Sequence, residues 1–324
     1  MPESPLDISI DPPKEKREPS GSRGRFWAFV AFAALLALVF LRPLVGLAVY
    51  AAGSKLNSHV ILIPFVSIYL VYINRRQLPE TYTFKWGWAL PFLLIGLGAA
   101  ILNWSPVASN LSENDGLALS TLAFVSLLAG GCFFFLGASW MKATTFAWWF
   151  LIFMIPMPEA MENTLETWSM NASAAAANIF FDLGGPPHLR DGTLFQLPNI
   201  TIRVAQECSG IRSSWVLFIT SLLAAHLFLR TTWKRLLLVC FIIPLGIIRN
   251  GFRVWVIGSL CVHFGPQMID SPIHRRGGPV FFVLSLIPLF LLVVWLRRHE
   301  PSVIGGAIIS SGESKQESPD PAAL

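Results

Sequence analysis

Long apolar runs dominate the sequence and decide what the chain can fold into. Three of them, residues 86–104, 117–137 and 280–296, contain no Lys, Arg, Asp or Glu. At about 1.5 Å per helical residue, runs of this length cross the roughly 30 Å hydrocarbon layer of a membrane. Of all residues 54% are hydrophobic and 13% charged, and the runs do not alternate as barrel strands do. The sequence therefore predicts an all-α, polytopic membrane protein.

In total, eight predominantly apolar runs are predicted to span the membrane: residues 26–41, 59–72, 86–104, 117–137, 145–155, 208–229, 236–262 and 280–296. The first run ends at Arg42-Pro43, and we expect a weakly polar connection from there to Ser58. Basic residues beside the spans fall on alternate connections: Arg23/Arg25, Arg75/Arg76, Lys142, Arg230/Lys234/Arg235 and Arg297/Arg298. Because basic connections stay in the cytoplasm, both termini are predicted to be cytoplasmic in a multi-pass protein of the cell (inner) membrane.

The two ends of the chain differ from the region between them. Residues 1–24 are rich in Pro, Ser and mixed charge, so we expect a disordered cytoplasmic tail. Residues 25–296 are predicted to form one membrane domain, and residues 297–324 a second cytoplasmic tail. The net charge of +5 lies largely in loops and tails beside the spans. This distribution argues against nucleic-acid binding, which needs a clustered basic face.

A polar insertion, residues 159–205, precedes the sixth span. Its first half, residues 159–184, has helical composition, with three carboxylates predicted on its polar side: Glu159, Glu162 and Glu166. Its second half has turn signals and then β-branched residues at alternating positions: Ile200, Ile202 and Val204. We therefore expect an extracytoplasmic helix and a short hairpin that leads into Cys208.

Cys208 stands at the predicted start of the sixth span. Backbone N–H groups and the helix dipole at such a position favour the thiolate over the thiol. Arg212 follows four residues later on the same helical face, where it would lower the thiol pKa further or bind a substrate carboxylate. The ordinary alternative is that Cys208 is a small packing residue.

The seventh span contains Arg249, Asn250 and Arg253, and a charge inside a span is a functional hypothesis by default. Arg253 lies eighteen residues beyond Arg235, about 27 Å along a helix and near the outer surface. The alternative is that both arginines pair with loop carboxylates or lipid phosphates. His274, in the last outer loop, could equally be a solvated loop residue. The histidines show no metal-ligand spacing, so no metal or cofactor is expected.

These residues resemble the exosortase/archaeosortase family, membrane-embedded cysteine transpeptidases that sort proteins with a C-terminal PEP-CTERM-type tripartite signal. The resemblance covers about residues 50–296 and rests on three motifs: Glu-Cys208-Ser-Gly-Ile, Asn250-Gly-Phe-Arg253 and His274-Arg-Arg-Gly-Gly278. It implies that Cys208 is the nucleophile, Arg253 the transition-state stabiliser and His274 the acid/base. A histidine at the last position points to the bacterial exosortase branch. The implied partners are the lipid bilayer and secreted proteins that end in a motif, an apolar helix and a basic tail.

The remaining polar residues near the site are expected to bind substrate. Arg212, Arg249 and Asn250 are the candidates, because each lies within about one helical turn of a predicted catalytic residue. A competing hypothesis is a non-catalytic anion or lipid transporter or scaffold, in which Arg249 and Arg253 bind an anion and Cys208 is incidental. The sequence leaves open the recognition motif, the acceptor nucleophile and the oligomeric state.

Overall fold

The computed structural model describes residues 21–53, 57–79, 86–198, 200–204, 211–270 and 278–299. We number its α-helices α1 to α11 in chain order. Their bounds are Gly21–Val39, Leu41–Gly53, Ile63–Ile73, Trp86–Trp104, Glu113–Phe135, Ala138–Ala143, Thr145–Leu151, Glu159–Gly184, Ile211–Phe228, Thr232–Phe264 and Gly278–Arg298. Short 3-10 turns flank several of them, at Ser58–Ile61, Asn74–Gln77, Pro106–Asn110, Ile152–Met154 and Pro266–Asp270. The predicted tails, residues 1–20 and 300–324, lie outside the described residues.

The described helices confirm an all-α polytopic membrane protein. Four of them, α4, α5, α10 and α11, are long and apolar enough to cross a membrane. The bent pair α1 and α2 makes a fifth if the two count as one span. The other predicted spans correspond to shorter helices: α3 has 11 residues, the apolar stretch around α7 is Thr145–Met154, and α9 has 18 residues. The number of eight spans therefore stays a prediction.

The break between α1 and α2 corrects the expected polar connection after the first run. The chain resumes a helix at Leu41 and continues it to Gly53, with a bend of 69° between the two helices. Pro43 explains the bend, because proline cannot donate to the carbonyl four residues earlier and its ring clashes with it. That carbonyl belongs to Val39, where α1 ends. Proline is tolerated in the first turn of the new helix.

The two ends of the helix bundle differ in their charged residues, although the end with the acidic residues also carries arginines, among them Arg190 and Arg253. At one end, Lys142 and Arg235 line the same cavity, and Lys234 Nζ donates to the Leu296 carbonyl oxygen over 3.2 Å. At the other end, Asp115 Oδ1 accepts from the Glu159 backbone N–H over 2.9 Å, which joins the starts of α5 and α8. We call these the basic end and the acidic end. The separation matches the alternation of basic connections in the sequence.

The insertion forms α8 and a three-stranded antiparallel sheet. The helix has the bounds predicted from sequence, Glu159–Gly184. The strands are β1 (Leu189–Asp191), β2 (Leu194–Leu197) and β3 (Ile200–Arg203), in the order β1-β2-β3. The sequence predicted a two-stranded hairpin, so it missed one of the three strands. The β1–β2 turn contains Gly192 at φ +58°, a conformation that side chains other than glycine rarely adopt.

The orientation of α8 differs from the prediction. Glu166, expected on a solvated polar side, is buried, whereas Met161 and Trp168 are exposed. Glu159 is exposed as predicted, and Thr164 and Thr167 are exposed beside Met161 and Trp168, so the outer surface of α8 is mixed in polarity.

Contacts of α8 and the sheet with α10 place the insertion at the second half of that helix. Phe195 and Ile202 of the sheet pack with Phe181 of α8 and with Val254 and Ile257 of α10 in one buried cluster. Buried apolar contacts of this kind are the main source of stability available to so small a sheet. The insertion therefore forms a cap over the helix that carries the predicted arginines.

Candidate active site

Helix α10 provides the polar residues of the candidate site. It has 33 residues and so measures about 50 Å, more than the roughly 30 Å hydrocarbon layer. Arg235 lies at its basic end, while Arg249 and Arg253 lie in the half that contacts the cap. The four-residue spacing places both arginines on one face of the helix. That face points toward the start of α9.

Arg249 is buried, with 8% of its surface exposed, and it contacts the first turns of α9. Its Nη2 donates to Ser213 Oγ over 2.6 Å and to Ser214 Oγ over 3.1 Å. One turn earlier on α10, Gly246 lies against Ser214, since a Cβ at position 246 would be 2.6 Å from Ser214 Oγ. The glycine allows α9 to approach, and the two serines solvate a cation that burial would otherwise penalise.

Gly251 faces α8 on the side of α10 opposite Arg249, and Asn250 lies between these two sides, about 100° from each around the helix. A Cβ at Gly251 would lie 2.6 Å from Ala176 Cβ and 2.8 Å from the Ala177 backbone nitrogen, so the two helices touch through their small residues. Asn250 is 2% exposed, and its Nδ2 has no hydrogen-bond partner within the described part of the chain. A buried amide without a partner is unusual in a folded protein. Its donor is therefore suited to a substrate group.

Arg253 lies beside an aromatic cluster that joins three helices. Its neighbour Phe252 packs on Phe180 of α8 and on Phe281 of α11, with ring centroids 5.7 and 6.3 Å apart. Trp255, one turn along α10, packs 5.5 Å from Phe252. Arg253 itself is half-buried. The cluster fixes the start of α11 next to the turn of α10 that carries Arg253.

The structure brings some of the predicted site residues together and does not describe others. Arg249, Asn250 and Arg253 share one stretch of α10, as the sequence predicts. Cys208, His274 and the side chain of Arg212 lie outside the described residues. The helix after Cys208, α9, begins at Ile211, and the helix after His274, α11, begins at Gly278. Both contact the stretch of α10 from Gly246 to Phe252, α9 through Ser213 and Ser214 and α11 through Phe281.

Three contributors to the site were not predicted from the sequence. Ser213 and Ser214 are the partners of Arg249, and Gly246 makes room for them. The signal was present, since an arginine inside a span needs polar partners and the Ser-Ser pair opens the neighbouring span. Sequence alone could not choose these serines, because the pairing of α9 with α10 in this register is a tertiary contact.

The arrangement has the chemistry for binding an oxyanion or a carboxylate. A guanidinium offers a planar set of N–H donors that matches two oxygens, and a dry, rigid surrounding strengthens such bonds. Within the described residues, no group of three or more His, Cys, Asp or Glu side chains could hold a metal ion.

Comparison with known proteins gives one match. A family model described as transmembrane exosortase matches residues 51–291, which is most of the chain and includes α10 entirely. Neither a search of curated proteins nor a search of solved structures finds a match. Members of the matched family are membrane proteins that sort other proteins, in general as cysteine proteases or transpeptidases.

Proposed function

Because the chain belongs to the transmembrane exosortase family, we propose that it cleaves the C-terminal tripartite sorting signal of secreted proteins through a thioester on Cys208. Arg253 stabilises the transition state in this proposal, and His274 is the acid/base. The observation that carries it is the convergence of two helix starts on one turn of α10. The helix after Cys208 and the helix after His274 both begin against the stretch that contains Arg249 and Arg253.

Chain length supports this convergence. Ile211, where α9 begins, is three residues from Cys208, and Gly278, where α11 begins, is four residues from His274. At about 3.5 Å per extended residue, these segments reach no further than about 10 and 14 Å. These lengths allow both catalytic candidates to lie near the two helix starts, as the proposal requires. Sites formed where several helices meet are typical of bundles.

The proposed reaction begins with acyl transfer to the enzyme. The Cys208 thiolate attacks a substrate carbonyl carbon, and the carbonyl electron pair moves to oxygen, where Arg253 stabilises the negative charge. The C–N bond then breaks as His274 donates a proton to the leaving amine. The products are a thioester on Cys208 and the released transmembrane peptide of the substrate.

The second half returns the enzyme to its starting state. His274, now neutral, takes a proton from the incoming nucleophile, an amine for transpeptidation or water for hydrolysis. The nucleophile attacks the thioester, Arg253 again stabilises the oxyanion, and the Cys208 thiolate leaves. Nothing needs to be oxidised or reduced.

Residues around the triad have supporting roles in the proposal. The two bonds from Arg249 to Ser213 and Ser214 favour a positioning role, because they fix the start of the helix that follows Cys208. Asn250, whose amide nitrogen is buried without a partner in the described chain, is proposed to donate to the substrate backbone. Arg212 is proposed to bind a substrate carboxylate or to favour the Cys208 thiolate.

The charge of the two bundle ends supports an orientation. The basic end, with Lys142 and Arg235, is proposed to face the cytoplasm, and the cap and the active site the opposite side of the cell membrane. A substrate helix whose basic tail stays in the cytoplasm would then present its recognition motif at the level of Arg253.

An acyl-enzyme trap tests the thioester directly. Membranes with the wild-type chain and a tripartite-signal substrate are treated with hydroxylamine, and the released substrate fragment is analysed by mass spectrometry. The proposal predicts a hydroxamate at the new C-terminus, because hydroxylamine intercepts thioesters. Cys240→Ala, which changes a cysteine of the apolar surface of α10, is the matched control and should give the same product. Cleavage without any hydroxamate would contradict the proposal and favour direct hydrolysis.

A further inference from the structure

A cavity lies at the basic end of the bundle, far from the candidate active site. Its volume is about 290 Å³, and its polar lining consists of Asn74, Lys142, Thr144, Thr145, His226 and Arg235. These residues come from α6, α7, α9, α10 and the turn after α3. Arg235 and Arg253 are eighteen residues apart on α10, which is about 27 Å. The proposed sorting reaction makes no use of this cavity.

The charge of the cavity has one sign. Lys142 and Arg235 contribute two cations, His226 adds an imidazole, and none of the described residues that line the cavity is acidic. The ion pair between His188 and Asp182 belongs to the cap, away from this cavity. Like charges that share a cavity repel one another, so the arrangement favours a bound anion.

Two of the cavity donors, Arg235 and His226, are held in place by contacts within the protein. Arg235 Nε donates to the Leu229 carbonyl oxygen over 2.7 Å, and within the described residues this bond leaves its terminal nitrogens for the cavity. The His226 ring lies flat on Phe146, with centroids 3.6 Å apart and planes within 1°. Thr144, 3% exposed, forms part of the buried floor, whereas Lys142 is exposed at the mouth. A preorganised set of donors costs less to order when a ligand binds.

The size and surroundings of the cavity limit what it can hold. Ligand pockets usually measure roughly 300–1,000 Å³, so about 290 Å³ suits a small polar group rather than a whole lipid or a large metabolite. Trp149 lines the same cavity and is 65% exposed. Exposed tryptophans of membrane proteins concentrate at the level of the lipid headgroups.

We propose that this cavity is a binding site for a phosphate-bearing anion, held by Lys142, His226 and Arg235. Phosphate oxygens accept several charge-assisted hydrogen bonds at once, and Arg and Lys are the side chains that bind them best. The phosphate can come from a phospholipid headgroup or from a free anion in solution. The proposal does not depend on the catalytic roles of Cys208, Arg253 or His274.

Thermal unfolding of the full chain in a neutral detergent tests the site. The unfolding midpoint is followed during titration with short-chain phosphatidylglycerol, with short-chain phosphatidylcholine as the zwitterionic lipid, and with inorganic phosphate at constant ionic strength. We expect a saturable rise of the midpoint with phosphatidylglycerol and a smaller one with phosphatidylcholine. A rise with inorganic phosphate that matches phosphatidylglycerol identifies a free anion as the source, and a weaker one identifies the lipid. Both results support the site.

Two charge variants decide whether the effect belongs to the cavity. Lys142→Gln, at an exposed position, and the double variant Lys142→Gln/Arg235→Gln each remove cavity charge. Loss of two charge-assisted bonds should raise the apparent Kd about tenfold or more. Arg297→Gln/Arg298→Gln removes the same charge from the end of α11, outside the cavity, and should leave the Kd unchanged. The proposal is overturned if neither anion raises the midpoint, if both double variants weaken binding equally, or if Lys142→Gln binds as the wild type does.

Discussion

Arg249 Nη2 and Ser213 Oγ are 2.6 Å apart, and this buried hydrogen bond joins α10 to the first turns of α9. Ser214 accepts a second bond from the same nitrogen over 3.1 Å. The start of α9 is therefore attached to the helix that carries Arg253. In the proposed mechanism, with Cys208 as the nucleophile and Arg253 as the anion stabiliser, this attachment links the helix that follows Cys208 to the helix that carries Arg253.

Ser213→Ala should destabilise the protein, because it takes a partner from a buried cation. A hydrogen bond to a charged group contributes about 1.5–3 kcal/mol, and Ser214 keeps part of the solvation of Arg249. Thermal unfolding in detergent measures the loss. Thr220→Ala is the control on the same helix, since Thr220 is exposed and bonds only to the carbonyl of Val216 among described residues. Equal midpoints for both variants would show that the Arg249 bond contributes little.

Gly251→Ala should destabilise the contact between α8 and α10. The new Cβ would lie 2.6 Å from Ala176 Cβ and 2.8 Å from a backbone nitrogen, so the helices must separate, and overpacking of this kind costs about 1–3 kcal/mol. Gly98→Ala on α4 is the control, because nothing lies within 4 Å of its Cβ position. There the helix propensity of alanine makes the change neutral or stabilising. Unfolding midpoints that do not separate the two variants would refute this close approach.

The orientation makes a prediction about reporters. A fusion after Lys142, at the basic end, and one within residues 185–195, in the cap, should report opposite compartments, with the Lys142 fusion in the cytoplasm. Paired alkaline phosphatase and fluorescent protein fusions provide complementary signals at each position. Signals from the same compartment at both positions would reject the proposed topology.

The sequence predicted the features that depend on local pattern. The runs that became α4, α5, α10 and α11, the bounds of α8, and the clustering of Arg249, Asn250 and Arg253 on one helix all follow from composition and periodicity. Three features were not predicted: the helix that resumes after Pro43, the third strand and the burial of Glu166. Pro43 marks the bend locally, but whether a helix resumes after it, whether a third strand pairs and which side of α8 is buried depend on how neighbouring segments pack.

The same distinction applies to the site. Helical spacing predicts that Arg249 and Arg253 share a face, because that depends on one helix only. Their partners depend on which helices pack against α10 and in which register. Gly246 lies against Ser214 and lets α9 approach Arg249, a role that is visible only when α9 is placed beside α10.

Arg253 and His274 should each be required for substrate maturation. Groups that act as a unit lose nearly all activity when one is removed, so Arg253→Ala and His274→Ala should abolish processing while the protein stays in the membrane. Arg253→Lys should also fail, because an ammonium lacks the planar fork of donors. Arg249→Ala should be milder, since Arg249 acts through α9. Immunoblots of substrate size, normalised to the amount of enzyme in the membrane, provide the comparison. Wild-type processing by Arg253→Lys would remove Arg253 from the mechanism.

Processing of a tripartite-signal substrate by Cys208→Ala tests the central claim most directly. Wild type, Cys208→Ala, Cys208→Ser and the control Cys240→Ala are expressed at equal levels with the substrate, and the cleaved fraction is measured over time. The thioester mechanism predicts cleavage for wild type and Cys240→Ala and none for Cys208→Ala, with Cys208→Ser severely impaired because its hydroxyl remains protonated. Cleavage by Cys208→Ala at the wild-type rate would contradict the account and favour a transporter or scaffold.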